Sequence, residues 1–474
     1  MAHRTEHDLL GPREIPRDAY WGIHTLRAVE NFQISGTMLA SDQPLLHALA
    51  LVKIAAAQAN SDLGLLEDER AAAIILAGGD VIEGLLDDQF VVDPVQGGAG
   101  TSTNMNINEV LANRALERLG RARGDYAYLH PNEHVNLNQS TNDVYPTAMK
   151  LAAHARCADL SSALRELHDT LAGKAEEYRD AVKLGRTQLQ DAVPMTLGQE
   201  LAAHAATASR DMTSLARVMA GLDEISLGAT AIGTGISSPA PYADAVRERL
   251  SSLLGRPLTT APDLIQATQD CDAFVAVSAC ARGIAIHLSK LCNDLRLLAS
   301  GPRAGFGEIV LPPRQAGSSL MPGKINPVIP EAVNQIAFAA IGRDVTVSLA
   351  AEAGQLQLNA FGPIIAHSLH ETLQQLASGA RMLARHCIAG LVANRERMRD
   401  NAMRSTALVT ALNPHIGYSR ATRIASEAAA SGRTIHDVAR QDALLPDDVL
   451  AQLLQPEAFL APAPMPRRAG GATR

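Results

Sequence analysis

The chain has 474 residues, enough for two or three domains, and its 47% hydrophobic but only 3% aromatic residues favour a core of packed helices over sheets. Its 42 basic and 50 acidic residues give a net charge of -8, and no basic run contains interleaved aromatic residues. These properties argue against nucleic acid or a membrane surface as a partner and favour a small molecule.

The cysteines and the first residues of the chain bear on the compartment in which the protein works. The five cysteines are odd in number and show no CxxC spacing, which argues against a disulfide framework or a zinc site. The opening MAHRTEHDLLGP is too charged for a signal peptide, and no apolar run approaches the roughly 20 residues of a membrane helix. We therefore expect a cytoplasmic protein with reduced thiols and neither a metal site nor a membrane anchor.

Residues 1–140 are predicted to form an N-terminal, mainly helical domain. Short helical stretches alternate there with loops rich in Gly, Pro and Asn, such as DPVQGGAGTS and HPNEHVNLNQSTND. Because loops of this kind often carry binding or catalytic residues, this domain is expected to contribute to a functional site.

Residues 141–396 are predicted to form a central domain of long bundled helices. Eight apolar residues follow one another at alternating spacings of three and four: Phe274, Val277, Ala281, Ile284, Leu288, Leu291, Leu295 and Leu298. Such a heptad keeps one stripe facing a neighbouring helix, and the leucines from Leu160 to Leu171 repeat the pattern earlier in the chain. Because a bundle with several apolar faces can bury them against identical subunits, we expect a homo-oligomer.

Residues 397–474 are predicted to form a small C-terminal helical domain. Its helical pattern runs to about residue 456. The last stretch, APAPMPRRAGGATR, has the composition of a disordered tail. The whole chain is thus predicted to be mainly α, with three domains in sequence order.

Four polar segments interrupt the helical pattern. They are QGGAGTSTNMNINE (96–109), NQSTND (138–143), GRTQLQDAVP (185–194) and GSSLMPGKINP (317–327). Each segment alone is equally well explained by a helix cap or a tight turn, where Ser, Thr, Asn and Gly are favoured. Together they offer many uncharged donors beside the cation of Lys324, a combination that suits a small dicarboxylate. A phosphate site at Gly97, Gly98 and Gly100 is disfavoured, because the segment lacks the lysine of a P-loop.

Ser318 is the candidate for chemistry within GSSLMPGKINP. A serine acts as a base or nucleophile only where backbone N–H groups, a cation or a helix N-terminus stabilise its oxyanion. Gly317 and Gly323 let the backbone bend there. Lys324 supplies a cation, and a helix is predicted to begin near Pro330. The residues leave two roles open: the nucleophile of a triad, or a base that removes a proton beside a carboxylate.

The segment GSSLMPGKINP resembles the GSSxMPxKxNP signature of the aspartase/fumarase superfamily. Three further stretches resemble the other substrate-binding segments of that family, in the same order: QGGAGTSTNMNINEVLANRA, HPNEHVNLNQSTNDVYPTAM and GRTQLQDAVPMTLGQE. The resemblance covers almost the whole chain and implies a mainly helical, three-domain fold whose central long-helix bundle assembles into a homotetramer. It also implies active sites shared by three subunits, and no organic cofactor.

Within the superfamily, the chain is more similar to aspartases than to class II fumarases. The similarity lies in DLLGPREIPRDAYWGIHTLRAVENF, LPPRQAGSS and LAAEAGQLQLN. Fumarases pair a histidine with a glutamate that Glu331 matches, whereas this chain has Gln188 in place of the histidine, and glutamine cannot titrate. The resemblance therefore implies reversible elimination of ammonia from L-aspartate to give fumarate. A fumarase and a lyase for N-substituted aspartates remain alternatives, and Gly362 departs from the glutamate of aspartases.

By resemblance, Ser318 is the base that removes a proton from the carbon beside the β-carboxylate. The residues expected to hold that carboxylate, as it takes on enediolate charge, are Thr101, Ser140, Thr141 and Ser319. Those expected to hold the α-carboxylate are Thr187, Lys324 and Asn326, and those near the leaving amine are Ser140, Asn142 and Gln188. A loop of this composition can close over substrate as a lid. A catalytically silent helical oligomer would be expected to lose Ser318 or Lys324, and both are present.

Overall fold

A computed structural model describes residues 2–443 and 445–460 of the chain, and it is mainly helical, as predicted. Within those residues there are sixteen α-helices and eight short strands. The predicted disorder of the tail 461–474 lies outside the described residues.

The helices and strands alternate along the chain in the following order. The helices are α1 (Ile23–Asn31), α2 (Gln43–Asp62), α3 (Asp68–Ile82), α4 (Thr101–Arg118), α5 (Thr141–Glu177), α6 (Leu197–Met219), α7 (Tyr242–Leu254), α8 (Leu264–Gln269), α9 (Asp272–Leu298), α10 (Val328–Glu352), α11 (Gly362–Leu383), α12 (Arg395–Arg404), α13 (Asn413–Ile416), α14 (Tyr418–Ser431), α15 (Ile435–Gln441) and α16 (Asp447–Leu453). The strands are β1 (His3–Asp8), β2 (Gly11–Pro16), β3 (Val182–Thr187), β4 (Gln190–Thr196), β5 (Glu224–Ile225), β6 (Thr259–Thr260), β7 (Ile309–Val310) and β8 (Val392–Ala393). They form four two-stranded sheets, of which only β5–β6 is parallel among the described residues.

The described residues group into two compact units. Unit 1 comprises those of Met1–Ala163, Asp211–Ile286 and Gln335–Ser378. Unit 2 comprises those of Leu164–Arg210, His287–Asn334 and Gly379–Arg474. Because each unit gathers separate stretches of the chain, the three domains defined by consecutive residues stay a prediction.

The heptad stripe lies in the core, as its spacing predicted. All eight residues from Phe274 to Leu298 are buried on α9, and the leucines from Leu160 to Leu171 are buried on α5. Among the described helices, α9 alone is long and apolar enough to cross a membrane, judged by length and composition. A helix of a protein core can have the same length and composition, and the apolar stripe of α9 is buried.

In unit 1, α2 contacts the turn 136–139, which precedes Ser140. Asp42 caps its N-terminus by accepting the N–H of Leu45 at 3.2 Å, and its alanine-rich sequence packs closely enough to bury thirteen of its twenty residues. Lys53 is among the buried residues. Helix α4 is buried almost throughout and carries buried amides at Asn104, Asn106 and Asn108.

In unit 2, the β3–β4 hairpin and the loop 317–327 carry the predicted substrate segments. The hairpin pairs from Val182 with Thr196 to Thr187 with Gln190, with a register shift between Leu184 and Arg186. The C-terminal helices have their own apolar cluster, centred on Leu412, Ile424 and Val438. The hairpins were not predicted from the sequence, which indicated only departures from helical periodicity.

Candidate active site

The segment NQSTND lies at the start of α5 and is anchored by Asp143. The Asp143 side chain is completely buried. Its carboxylate accepts the N–H of Ser140 at 3.0 Å, and those of Gly228 and Thr230 at 3.1 and 2.9 Å. Burial raises the pKa of Asp143 to about 6, although these three N–H groups oppose the shift. A buried anion therefore ties Ser140 to the turn at 228–230.

The predicted binding residues of this segment are half-buried. Ser140 Oγ accepts the N–H of Asn142 at 3.2 Å, and Asn142 Nδ2 donates to the carbonyl of Ala231 at 2.8 Å. Thr141 Oγ1 accepts Nδ2 of Asn104 at 3.0 Å, which joins the starts of α4 and α5. Neutral hydrogen bonds therefore hold Thr141 and Asn142, in addition to the Asp143 carboxylate that holds Ser140.

Thr101 is the first residue of α4, the helix whose Asn104 contacts Thr141. Gly100 before it has a φ of 93°, and a Cβ atom there would lie 2.5 Å from the Tyr145 ring. Only glycine fits, because both the backbone angle and the contact exclude a side chain. Thr101 Oγ1 donates to the carbonyl of Gly98 at 2.7 Å. The glycines of this segment therefore serve a tight helix start, and Thr101 is placed at its tip.

Thr187 and Gln188 lie at the exposed tip of the β3–β4 hairpin. The two turn residues, Gln188 and Leu189, have φ of 54° and 62°, as in a type I′ turn. Such a turn normally takes Asn-Gly, and each non-glycine residue there is strained by about 1–3 kcal/mol. Strain of this kind often marks a functional position, which fits the predicted role of this tip.

Glu308 connects this hairpin to the chain that leads into the loop 317–327. Its side chain is completely buried and its Oε1 accepts Nη2 of Arg186, next to Thr187, at 2.5 Å. Nζ of Lys183 lies 3.4 Å from Oε2, and Nδ2 of Asn401 donates to Oε1 at 3.2 Å. Burial alone would raise the pKa of Glu308, but the Arg186 hydrogen bond and the Lys183 charge outweigh it and lower this pKa.

The loop 317–327 is closed by hydrogen bonds within itself. The Gly317 N–H donates to the Lys324 carbonyl at 2.9 Å, and Asn326 Nδ2 donates to the Gly317 carbonyl at 2.8 Å. A Cβ at position 317 would lie 2.5 Å from the Lys324 carbonyl oxygen, so glycine is required. Ser319 and Lys324 are exposed, and α10 begins just after the loop, close to the predicted helix start.

Ser318 is half-buried, and two backbone N–H groups point at its hydroxyl. Its Oγ accepts the N–H of Leu320 at 3.1 Å and that of Met321 at 2.9 Å. Donors in this arrangement would stabilise an oxyanion on Ser318, which is the first of the three conditions named for an active serine. Such donors would favour an ionised serine in either of the two predicted roles, nucleophile or base.

The predicted site residues are divided between the two units. Unit 1 holds Thr101, Ser140, Thr141 and Asn142, and unit 2 holds Thr187, Gln188, Ser318, Ser319, Lys324 and Asn326. The roles of these ten residues in binding and catalysis stay predictions. Within the described residues, no group of three or more His, Cys, Asp or Glu side chains could hold a metal ion.

Three supporting residues were missed by the sequence analysis: Lys53, Asp143 and Glu308. Asp143 stands within the quoted NQSTND, where its acidic side chain beside a helix start suggests an anchor. Lys53 is the one charged residue within LALVKIAAAQA, an apolar helix in which a cation needs buried partners. Glu308 gave no local signal, because its partner Arg186 is 122 residues away.

Comparison with known proteins gives one consistent family. Residues 11–342 match the family model described as Lyase, and residues 408–461 match that described as Fumarase C C-terminus. An aspartate ammonia-lyase from Pseudomonas aeruginosa is 53% identical over 467 residues, which cover 98% of each chain.

Two solved structures share the fold along nearly their whole length. A fumarate lyase:delta crystallin from Brucella melitensis, bound to cobalt, is 51% identical with a TM-score of 0.95, covering 97% of this chain and 100% of that one. A class II fumarase from Schistosoma mansoni is 33% identical with a TM-score of 0.93, covering 97% and 99%.

Proposed function

Because the chain belongs to the aspartase/fumarase superfamily of lyases, we propose that it is an L-aspartate ammonia-lyase, which converts L-aspartate reversibly to fumarate and ammonia. The observation that carries the proposal is the 53% identity over 98% of both chains to an aspartate ammonia-lyase. The four polar segments support it, because they supply hydroxyl and amide donors together with the cation of Lys324.

The reaction begins when Ser318 removes a proton from the carbon beside the β-carboxylate. The N–H groups of Leu320 and Met321 favour the ionised serine that this step requires. The electrons of the broken C–H bond pass into the β-carboxylate, which becomes an enediolate. They then form the carbon–carbon double bond as the C–N bond breaks on the opposite face, so ammonia leaves and fumarate remains.

The remaining predicted residues bind the two ends of the substrate. The donors to the β-carboxylate, whose charge grows during the reaction, are Thr101, Ser140, Thr141 and Ser319. The α-carboxylate is bound by Thr187, Lys324 and Asn326, and the amine lies near Ser140, Asn142 and Gln188. The donors to the β-carboxylate bind it in the substrate and bind it more strongly as its charge grows, so they act on both KM and kcat, whereas those to the α-carboxylate act mainly on KM.

The test is absorbance at the wavelengths of the fumarate double bond, in parallel cuvettes of L-aspartate and L-malate. We expect a rise with L-aspartate, matched by released ammonia, and none with L-malate, because the amide of Gln188 cannot shuttle a proton to water. A rise with L-malate alone would establish a fumarase instead. No rise in absorbance with either substrate would contradict the proposed reaction, and substituted aspartates would then be assayed.

A cavity beside Asn142 favours a second substrate class, N-substituted aspartates. Its volume is about 40 Å³, enough for a water-sized group, and Tyr145, Met149 and Gly362 line it. A Cβ at position 362 would lie 3.4 Å from Tyr145 Cε1 and 3.5 Å from Met149 Sδ, so Gly362→Ala would narrow it. We expect N-methyl-L-aspartate to be a slow substrate that this variant loses, with L-aspartate turnover unchanged. No turnover in the wild type would remove this second class.

We further propose that the protein is a homotetramer with active sites shared by three subunits. An exposed apolar stripe runs along α10 and consists of Phe338, Val345 and Leu349, whose accessible fractions are 63%, 55% and 63%. Such a stripe is typical of a helix that packs against another subunit. Mass measurement in solution tests the tetramer. Shared sites are tested by mixing subunits of two inactive variants, Ser318→Ala and Thr141→Val. Recovered activity supports sharing, whereas none would place each site within one chain.

A further inference from the structure

Lys53 is a completely buried lysine in the middle of α2, directly beneath the segment that leads to Ser140. Its Nζ donates to Oδ1 of Asn136 at 2.8 Å and to Oε1 of Gln139 at 2.9 Å. Both acceptors are neutral amides. The buried carboxylate of Asp143 is an opposite charge that acts on it.

We propose that Lys53 is a positioning residue for the reaction. Its hydrogen bonds to Asn136 and Gln139 hold the turn 136–139 and thereby fix the donors Ser140, Thr141 and Asn142. The inference rests on the proposed function and extends it to a residue outside the four polar segments. Gln139 immediately precedes Ser140, so the lysine is hydrogen-bonded to the residue just before the first predicted donor.

A second path leads from Lys53 to the substrate hydroxyls through Asn136. The Oδ1 atom of Asn136 accepts not only Lys53 but also Nδ2 of Asn104 and Nδ2 of Asn108, both at 3.2 Å. Nδ2 of Asn104 also donates to Thr141 Oγ1 at 3.0 Å. One carbonyl oxygen therefore joins α2, α4 and the turn, and it orients the amide that contacts Thr141.

Lys53 and Asp143 hold the stretch 136–140 from opposite ends, one as a hydrogen-bond donor and the other as an acceptor. The lysine donates to side-chain oxygens of the turn, while Asp143 accepts the N–H of Ser140 beyond it. Burial lowers the pKa of Lys53 to about 7, and the Asp143 charge opposes this shift. An apolar residue would fill the same volume without this desolvation cost, so the donors of the lysine are its distinguishing contribution.

The test compares Lys53→Met with a matched control, Lys150→Met. Lys150 is a half-buried lysine of α5 that donates to the Glu224 carbonyl and contacts no predicted site residue. We expect Lys53→Met to lower kcat/KM for L-aspartate about 10–100-fold, as losing a charged hydrogen bond does, and to raise the dissociation constant of succinate similarly. The control should change neither quantity by more than about twofold.

Succinate binding separates positioning from simple structural support. Succinate carries both carboxylates without an amine, so its affinity below the melting temperature reports the donors directly. Lys53→Gln, which keeps an N–H donor, should recover part of the lost affinity. A lower melting temperature with unchanged succinate affinity in Lys53→Met would overturn the inference.

Two further measurements test the inference on Lys53 if the first variant does not fold or the wild type is inactive. If Lys53→Met does not fold, Gln139→Met removes one of the two acceptors with the lysine in place, and unchanged succinate affinity there overturns the inference. The wild type is assayed alongside: if it fails to convert L-aspartate, the proposed function fails, and the succinate arm alone decides the role of Lys53. If the wild type is active and both variants match it, only the inference on Lys53 fails.

Discussion

Asp143 in unit 1 and Glu308 in unit 2 are both completely buried carboxylates that support predicted substrate segments, but their partners differ. Asp143 accepts three backbone N–H groups, whereas Glu308 is held by the cations Arg186 and Lys183. Burial raises the pKa of Asp143 to about 6 although its N–H donors and the charge of Lys53 oppose the shift, whereas at Glu308 the cations outweigh burial and lower the pKa. The same side-chain chemistry thus gives opposite responses to pH in the two units.

The segments that these carboxylates support also differ. In unit 1 the residues 140–142 are half-buried and bonded to α4 and to Ala231. In unit 2 the loop 317–327 is mostly exposed, and the hydrogen bonds of Gly317 and of the Ser318 and Asn326 side chains join residues of the loop to one another. The predicted donors 140–142 are therefore held by neighbouring elements, whereas the loop 317–327 has the contacts of a segment that can move as the predicted lid.

The largest expected effect comes from the loop of unit 2. Ser318→Ala removes the proposed base, and we expect kcat to fall by about 10²–10⁴-fold, the range for losing general-base catalysis. Stability should fall by only about 1 kcal/mol, because the lost hydroxyl accepts two backbone N–H groups within a mostly exposed loop. Steady-state kinetics and urea unfolding measure both, with the exposed Ser431→Ala as control. Wild-type kcat in the variant would remove Ser318 from the mechanism.

The next effect concerns the scaffold of unit 2. Glu308→Gln leaves Arg186 and Lys183 facing a neutral amide, and we expect the free energy of unfolding to fall by about 3–5 kcal/mol, as when a buried pair loses one partner. Because the folded pKa of Glu308 is lowered, its contribution is complete above about pH 4.5 and is lost as pH falls through the folded pKa.

Urea unfolding at neutral and acid pH measures this contribution. The gap between wild type and Glu308→Gln should be wide at neutral pH and narrower in acid. Glu176→Gln, in an exposed pair with Arg179, is the matched control and should change stability by less than about 1 kcal/mol. A constant gap across pH would show that the cations do not govern this carboxylate.

The corresponding change in unit 1 should be smaller. Asp143→Asn turns an amide NH₂ toward at least one of the three N–H groups, so we expect a loss of about 1–3 kcal/mol in stability. Because Ser140 loses its anchor, KM for L-aspartate should rise about tenfold. Asp244→Asn, at an exposed position, serves as control for both measurements. A stability loss without any change in KM would show that Asp143 supports the fold but not the donors.

The sequence predicted the helical core and the position of each polar segment, but not what lies beneath them. Heptad spacing is local, so the buried stripe of α9 could be read directly. The hairpin at Gln188 and Leu189 could not, because its turn lacks the Asn-Gly that normally signals a type I′ turn. The Glu308–Arg186 pair joins residues 122 apart, a distance that no local pattern spans. Supporting contacts were therefore missed where they depend on tertiary structure.

A third buried carboxylate, Glu109 on α4, extends the comparison within unit 1. Its oxygens accept the N–H groups of Gly22, His24 and Thr25 at 2.8–3.1 Å, and the Thr25 hydroxyl at 2.6 Å. These donors are neutral, as for Asp143. Burial raises the pKa of Glu109 to about 7 despite the Thr25 hydrogen bond, and the nearby charge of Glu6 adds to the rise. Glu109 should therefore show the pH response of unit 1 most clearly.

The smallest expected effect is a change in the slope of stability with pH. Since the folded pKa of Glu109 lies above its ordinary 4.5, the native state binds more protons between pH 4.5 and about 7, and stability falls as pH rises there by up to about 1.4 kcal/mol per unit. Glu109→Gln cannot titrate and should lack this contribution in urea unfolding. Glu117→Gln, on the same helix, removes a carboxylate whose pKa is lowered to about 2, so its effect should be constant from pH 5 to 8. Parallel curves for both variants would contradict the raised pKa and, with it, the contrast between neutral donors and cations.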